Sequence, residues 1–458
     1  MRFGLGGWLK GVGSNRFLGE NVMQTFRESE REVPVVEQTD VVICGGGPAG
    51  VCAAIAAART GAQTRLIEVH GCLGGVWTSG ALSWIIDSAN KPGIMAEITE
   101  ELERRGVRAT RVPSGKNYAY DVEMMKLLLE EMCMNAGVDV RLHTRVVAAA
   151  RDRDNRLGVV ITESKSGREA WAAKVFVDAT GDGDLGAWAG CGFDMGHPET
   201  GAVQPMSLMA LVTGIQFDEV EPFVGGAMQE PKQRLLTEMA RAGVSPSYAG
   251  PTLFRIRDDL FALMANHQYG AYAHDAHAIT KATLEARAEV HRLVEALRAL
   301  GGIWQDLRIV ATGEQIGVRE GRRIHGRYVV VAEDLRDGAI HDDAICRVTF
   351  GFDVHSTNSF RSKGIESKPY KSKPYDIPLR ALIAKDVDGL LLAGRCISGD
   401  FQAHSSYRVT GNAASMGQAA GVCAALSVSL DCLPHEVPFD AVKEKMDVLN
   451  DRALEAVV

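Results

Sequence analysis

Several groups of residues have types and spacings that can do chemistry. The first is Gly45-x-Gly47-x-x-Gly50, with Glu68 eighteen residues further on. Glycines at this spacing, placed at a helix start, let bare backbone approach a pyrophosphate, and an acid at the tip of the next strand accepts from a ribose hydroxyl. The run Gly71-Cys72-Leu73-Gly74-Gly75-Val76-Trp77-Thr78-Ser79-Gly80 has four glycines in ten positions, which suits close packing along an extended ligand. In Phe401-Gln402-Ala403-His404-Ser405-Ser406-Tyr407-Arg408, His404 can take a proton and Arg408 can clamp a carboxylate bidentately; a structural role for His404 stays open. Arg319, Arg322 and Arg323 form either an anion pocket or an interdomain or solvated ion-pair face. His355 beside Asp353 is either an oriented base or one of two turn residues.

The elements that must position these groups follow from pattern. Residues 31–36 (REVPVV) read as a short edge strand because of Pro34, and Thr39–Cys44 as an apolar strand. A tight glycine turn, a small-residue helix to Gly61 and a strand over 63–68 complete a βαβ unit. Asp121 stands where an N-cap belongs, before a helix that ends at Gly137. Residues 138–142 and 145–150 look like strands, 158–178 alternates as a β-meander turning at Ser166–Gly167, and a helix spans 281–300. Residues 389–393 predict a buried strand and 410–426 a helix of small residues.

Glycine makes up 49 of the 458 residues, above the usual ~7%, and nineteen of them fall in residues 45–80, 181–192 and 394–421. The concentration predicts three ligand-facing segments. The net charge of −8, with no basic stripe, argues against nucleic acid. Nine scattered cysteines without a CxxC pair fit a reducing cytoplasm and offer no metal site; His274 and His277 supply too few ligands. The leader is broken by glycines, so no signal peptide is expected. The charge-free runs 41–58 and 409–430 read as buried segments rather than membrane spans.

In order and spacing, GGGPAG, the acid, LGG, Ala179-Thr180-Gly181-Asp182 and Gly394-Arg395 with its following helix resemble the successive FAD contacts of the glutathione-reductase-like flavoproteins. Closest is the FAD-dependent oxidoreductase family, which also shares the segments 317–324, 352–355 and 393–399. The fold class this implies is α/β: a Rossmann-type FAD-binding domain with a parallel sheet and β-meander, plus an inserted mixed α+β substrate domain. The expected divisions are a leader (1–30), a discontinuous FAD-binding domain (31–191 and 376–435), an inserted substrate or cap domain (192–375) and a C-terminal helical tail (436–458).

By the same resemblance, Gly45, Gly47, Pro48, Ala49 and Gly50 would hold the pyrophosphate and Glu68 the adenosine ribose, with Val69 and His70 also among the cofactor-binding residues. Gly74, Gly75, Val76 and Thr78 would line the cofactor, and Val146 would clamp adenine. Thr180, Gly181 and Asp182 would close over the nucleotide half, while Gly394, Arg395, Asp400, Gly411, Asn412 and Ala413 lie where ribityl and isoalloxazine contacts fall. A helix starting near Gly411 would aim free N–H groups at the flavin C2 carbonyl. His404, Arg408 and Arg319 are the catalytic candidates, and Cys72 reads as a buried thiol packing as a small hydrophobe.

A second GxGxxG in a βαβ context and a CxxxxC pair are absent from the sequence. The expectation is an FAD-dependent dehydrogenase or oxidase that moves hydride between a small polar molecule and flavin N5. The electron acceptor, the substrate's identity and the oligomeric state, homo-oligomer included, are not written in these motifs. The rivals are a reductase running the other way, an NAD-utilising enzyme similar to thiazole synthases, and a non-catalytic or RNA-modifying FAD protein.

Overall fold

In a computed structural model, which describes residues 27–106, 119–225, 228–366 and 371–455, the apolar run at 39–44 is the inner half of a longer strand, β1 (Val35–Cys44). The separate edge strand expected at 31–36 is corrected: Val35 and Val36 belong to β1, which pairs with one neighbour from Val35 onward and gains its second only at Val41. The chain divides into two compact units, Met1–Val33 and Pro34–Val458. Of the first, residues 27–33 are described, with Arg31 paired to Glu28; the rest of the leader lies outside the described residues.

β1 ends at Gly45, whose φ of 101° suits glycine, and α1 (Pro48–Arg59) begins with its proline in the first turn, where a missing N–H costs nothing. β2 (Thr64–Ile67), α2 (Ile94–Arg104) and α3 (Val122–Ala136) follow. Asp121 caps α3 by accepting from the Glu123 N–H, and left-handed Gly137 ends it. β3 (Asp139–Arg141), β4 (Arg145–Arg151), β5 (Leu157–Ser164) and β6 (Gly167–Asp178) complete a sheet ordered β3-β2-β1-β6-β5-β4. β6 joins two pairings within this sheet: up to Ala172 it pairs antiparallel with β5 as a meander, and from Ala170 onward it runs parallel to β1.

After α4 (Asp184–Trp188) and β7 (Phe193–Asp194) the βαβ rhythm gives way to a second sheet. β8 (Ala210–Thr213), α5 (Phe217–Val220), α6 (Gln229–Arg241), β9 (Thr252–Arg257), β10 (Leu260–Met264), α7 (Ala276–Ala299) and β11 (Arg308–Thr312) give the antiparallel order β11-β8-β10-β9. Period-two alternation sorts its faces. Phe261 and Leu263 join Leu235 and Met239 of α6 and Val290 and Leu293 of α7, whereas Ala262 packs with Trp84, Phe254 and Ile256. α7 starts a turn earlier than its apolar pattern suggests, because Asp275 accepts from the N–H groups of His277 and Ala278.

β12 (Arg323–Ile324) pairs with β7, α8 (Ala332–Asp337) follows, and β13 (Ala344–Val348) pairs with β14 (Tyr375–Pro378). β15 (Leu390–Leu392) then inserts parallel to β6 at Phe176–Asp178, returning the chain to the first sheet. α9 (Phe401–Tyr407), α10 (Thr410–Ser429) and α11 (Phe439–Glu455) close the fold. α10 lies against α1 at backbone contact: a Cβ on Gly417 would come within 2.0 Å of Ala49 O, and one on Gly421 within 2.1 Å of Ala53 O. Among the described residues no helix is long and apolar enough to cross a membrane.

Candidate active site

The glycine turn and its surroundings form a cleft. A Cβ on Gly50 would sit 1.7 Å from Gly45 O, so that glycine is required for the helix to leave the strand at this angle. A Cβ on Gly47 would meet nothing within 4 Å. Gly47 therefore faces open space at the N-terminus of α1, where no side chain caps the helix. Gly75 comes up against it, since a Cβ there would approach Gly47 Cα to 3.0 Å, and Gly74 donates to Gly46 O at 2.7 Å. Glu68 is buried and accepts from the main-chain N–H groups of Gly46 and His70. Pro48, Val69, His70, Val76, Val146, Thr180, Gly181, Asp182 and Arg395 keep accessible surface, while Ala49, Thr78 and Gly394 are buried.

The side chains at the rim are tied together. Thr180 Oγ1 donates to Asp178, whose carboxyl burial raises to about 6, and Arg395 donates to Asp182 Oδ1 and Val318 O, both at 2.8 Å. Asp400 uses one oxygen on Ala403 N in α9 and the other on Ala332 N in α8, which makes it a double helix cap. Cys72 is half-buried and burial raises its thiol, which disfavours the nucleophilic thiolate.

At the far end, α10 begins without a side-chain cap. Thr410 Oγ1 and Asn412 Nδ2 are buried without a hydrogen-bond partner. A polar ligand atom at this helix start would satisfy them, so the residues present fit the ring end of a flavin. One expected donor is corrected: Gly411 N–H already donates to Ile86 O at 3.0 Å, and a Cβ on Gly411 would strike Ile86 O and Asp87 O. Ala413 N–H likewise bonds within the helix, to Val409 O.

Immediately before this helix start lies a largely buried cluster of polar side chains, the chamber, to which six stretches of chain contribute. Gln204 and Ser207 lead into β8, Tyr248 precedes β9, His267 and Tyr269 follow β10, and Arg319 comes after β11. Asp353 and His355 follow β13, and Arg408 ends α9. Arg408 donates to Asp353 O at 3.0 Å, Asp353 Oδ2 at 3.1 Å and Gln204 Oε1 at 3.4 Å. His355 Nε2 lies 3.4 Å from Asp353 Oδ2. Arg319 donates to Pro205 O at 2.7 Å and Ser207 Oγ at 2.8 Å. The rings of Tyr248 and His267 stack at 4.2 Å, and His355 meets His267 edge-on at 4.9 Å.

Burial and the Arg408 charge lower Arg319 to about 10; burial and the Arg319 charge lower His355 to about 4 and depress His267 strongly. Both imidazoles are therefore neutral near pH 7. Four polar atoms of this lining have no protein partner: Gln204 Nε2, His267 Nε2, His355 Nδ1 and Arg408 Nε.

The sequence candidates distribute as follows. Arg319 and Arg408 meet in the chamber with the Asp353–His355 pair. Arg322 turns away to Asp182 O and Asp184, and Arg323 is buried against Glu320 at 2.6 Å. His404, expected over the flavin ring, has no accessible surface; it packs edge-on to Tyr407 at 5.4 Å, and burial holds it neutral. Gln204, Ser207, Tyr248, His267 and Tyr269 were not foreseen. His267 carried one available signal, a histidine and Asn266 directly after the apolar run of β10.

A parallel sheet whose first turn opens a glycine-lined cleft defines a dinucleotide-binding α/β protein. Residues 40–446 match the model of the FAD dependent oxidoreductase family, and the chain belongs to that family. It is an enzyme and its cofactor is FAD. No curated protein matches the sequence. Among solved structures it is similar to a geranylgeranyl bacteriochlorophyll reductase-like protein from Thermoplasma acidophilum (12% identity, covering 91% of this chain and 84% of that one, TM-score 0.46). It is also similar to p-nitrophenol 4-monooxygenase PnpA from Pseudomonas putida (12%, 92% and 89%, TM-score 0.45) and to THI4 from Thermovibrio ammonificans (22%, 33% and 61%, TM-score 0.27).

Proposed function

We propose that this enzyme is a dehydrogenase or oxidase that transfers hydride from a small polar organic molecule to its flavin. The observation that carries this reading is the chamber: polar atoms without protein partners converge directly before the uncapped start of α10. Bound FAD supplies the two-electron acceptor. The chain's own residues do the rest. Gly47 and the start of α1 would receive the pyrophosphate, Glu68 the ribose, and Thr410 and Asn412 the polar edge of the ring. Arg319 and Arg408 would orient the substrate, and His355, held by Asp353, is placed to take its proton. In this reading residues 31–191 and 376–435 hold the cofactor and 192–375 carry most of the substrate side.

The test is anaerobic. The purified protein should be yellow, and mixing with polyols, hydroxy acids, amines or sugars should bleach the flavin with at least one class. A protein bleached by reduced nicotinamide and by no organic donor would reverse the proposed direction.

A further inference from the structure

The chamber also specifies what kind of molecule fits it. Two cations, Arg319 and Arg408, act on one carboxylate, Asp353. Glu320 is the next acid, but it is committed to Arg323 and to the N–H groups of Gly196 and Gln204. His267 and His355 are neutral, so the lining carries excess positive charge in a setting that solvates ions poorly. Arg319 donates only to uncharged partners, a carbonyl, a hydroxyl and a thioether. Arg408 and Asp353 still keep 10% and 16% of their side chains accessible. A ligand carboxylate would neutralise the two guanidiniums and engage the unpartnered Nε of Arg408.

His355 adds the second half of the specification. His355 Nε2 lies 3.4 Å from Asp353 Oδ2, so the carboxylate favours the proton on Nε2 and leaves the lone pair on Nδ1, which is buried and has no protein partner. It can accept a proton from a hydroxyl. An ammonium group in its place would be repelled by the same two guanidiniums.

Resting on the hydride-transfer reading, we propose that the substrate is a small hydroxy acid, its carboxylate held by Arg319 and Arg408 and its hydroxyl donating to His355 Nδ1. The reaction balances as an alcohol oxidation. The O–H proton would go to His355 Nδ1, the carbinol hydrogen would leave with its bonding electron pair as hydride to the two-electron acceptor that bound FAD supplies, and the carbon would be left as a ketone.

The test titrates the FAD-loaded protein with lactate, 2-hydroxyglutarate, gluconate, oxalate, glycerol and alanine. Binding is read from the flavin absorbance and from the thermal midpoint, independently of turnover. Oxalate and at least one hydroxy acid should bind saturably, and glycerol and alanine should not. Arg408→Lys and Arg319→Gln should weaken that binding tenfold or more while flavin content stays unchanged; Arg319→Lys serves if the glutamine variant does not fold. His355→Gln should retain binding and slow anaerobic bleaching by a hundredfold or more. Failure of every acid to bind, or binding indifferent to both arginine variants, overturns the proposal; bleaching by a neutral polyol would then leave the hydride reading standing. Saturable binding of acids with no bleaching by any hydroxy acid retains the anion site and removes the hydride reading.

Discussion

Single side chains in the chamber are set by their surroundings, and His355 is the clearest case. Burial and Arg319 push it down to about 4, against the opposing pull of Asp353. Its folded value lies below the unfolded ~6.5, so its contribution to stability is complete above that pH and is lost as pH falls toward 4. That single group accounts for roughly 3 kcal/mol across the window. Buried Asp178, raised to about 6, works in the opposite direction, so the useful quantity is a difference between proteins. Denaturant unfolding of His355→Asn at pH 4.5 and 7 should show a shallower acid loss than the wild type; identical slopes would mean His355 is not held neutral. The Glu320–Arg323 pair gives a second expectation at this scale. With both side chains almost wholly buried, Glu320→Gln leaves Arg323 uncompensated and should cost about 3–5 kcal/mol in unfolding free energy.

At the scale of elements, the glycines separate into two jobs that look alike in sequence. Gly47 fronts the cleft, whereas Gly50, Gly417 and Gly421 let β1, α1 and α10 touch backbone to backbone. The glycine concentration at 394–421 was thus only partly a ligand signal. Two substitutions distinguish the jobs. Gly47→Ala should fold with an apo thermal midpoint near wild type and bind FAD more weakly. Gly50→Ala must displace the Gly45 carbonyl and should destabilise by at least the ~1–3 kcal/mol of an overpacked core, seen as a lowered midpoint with or without flavin.

The βαβ unit, the meander and α10 were legible because period, turn residues and caps agree there: Asp121 and Gly137 bracket α3 as expected. The second sheet was not, because β8 and β11 are short and their residues acquire an inside only once α6 and α7 cover them. The chamber was legible only in parts. Arg319, Asp353 and His355 stand out in sequence, but three arginines within five residues look equivalent until the fold sends Arg322 and Arg323 elsewhere.

Across the whole molecule, cofactor cleft and chamber draw on residues from 45 to 413, so ligand binding should report on global stability. FAD at a hundred times its dissociation constant should raise the unfolding free energy by about 2.7 kcal/mol, measurable as a higher midpoint for holo than for apo protein. The placement of β15 has a different consequence, one for biosynthesis. β6 presents Phe176–Asp178 to a partner that is translated more than two hundred residues later. At ~5–20 residues per second, that strand edge waits on the order of 10–40 s on the ribosome with its hydrogen-bonding groups unpaired. Chains released before Leu390 should accumulate as insoluble material, and the nascent protein should depend on a holdase over that interval more than a sheet built from consecutive strands would.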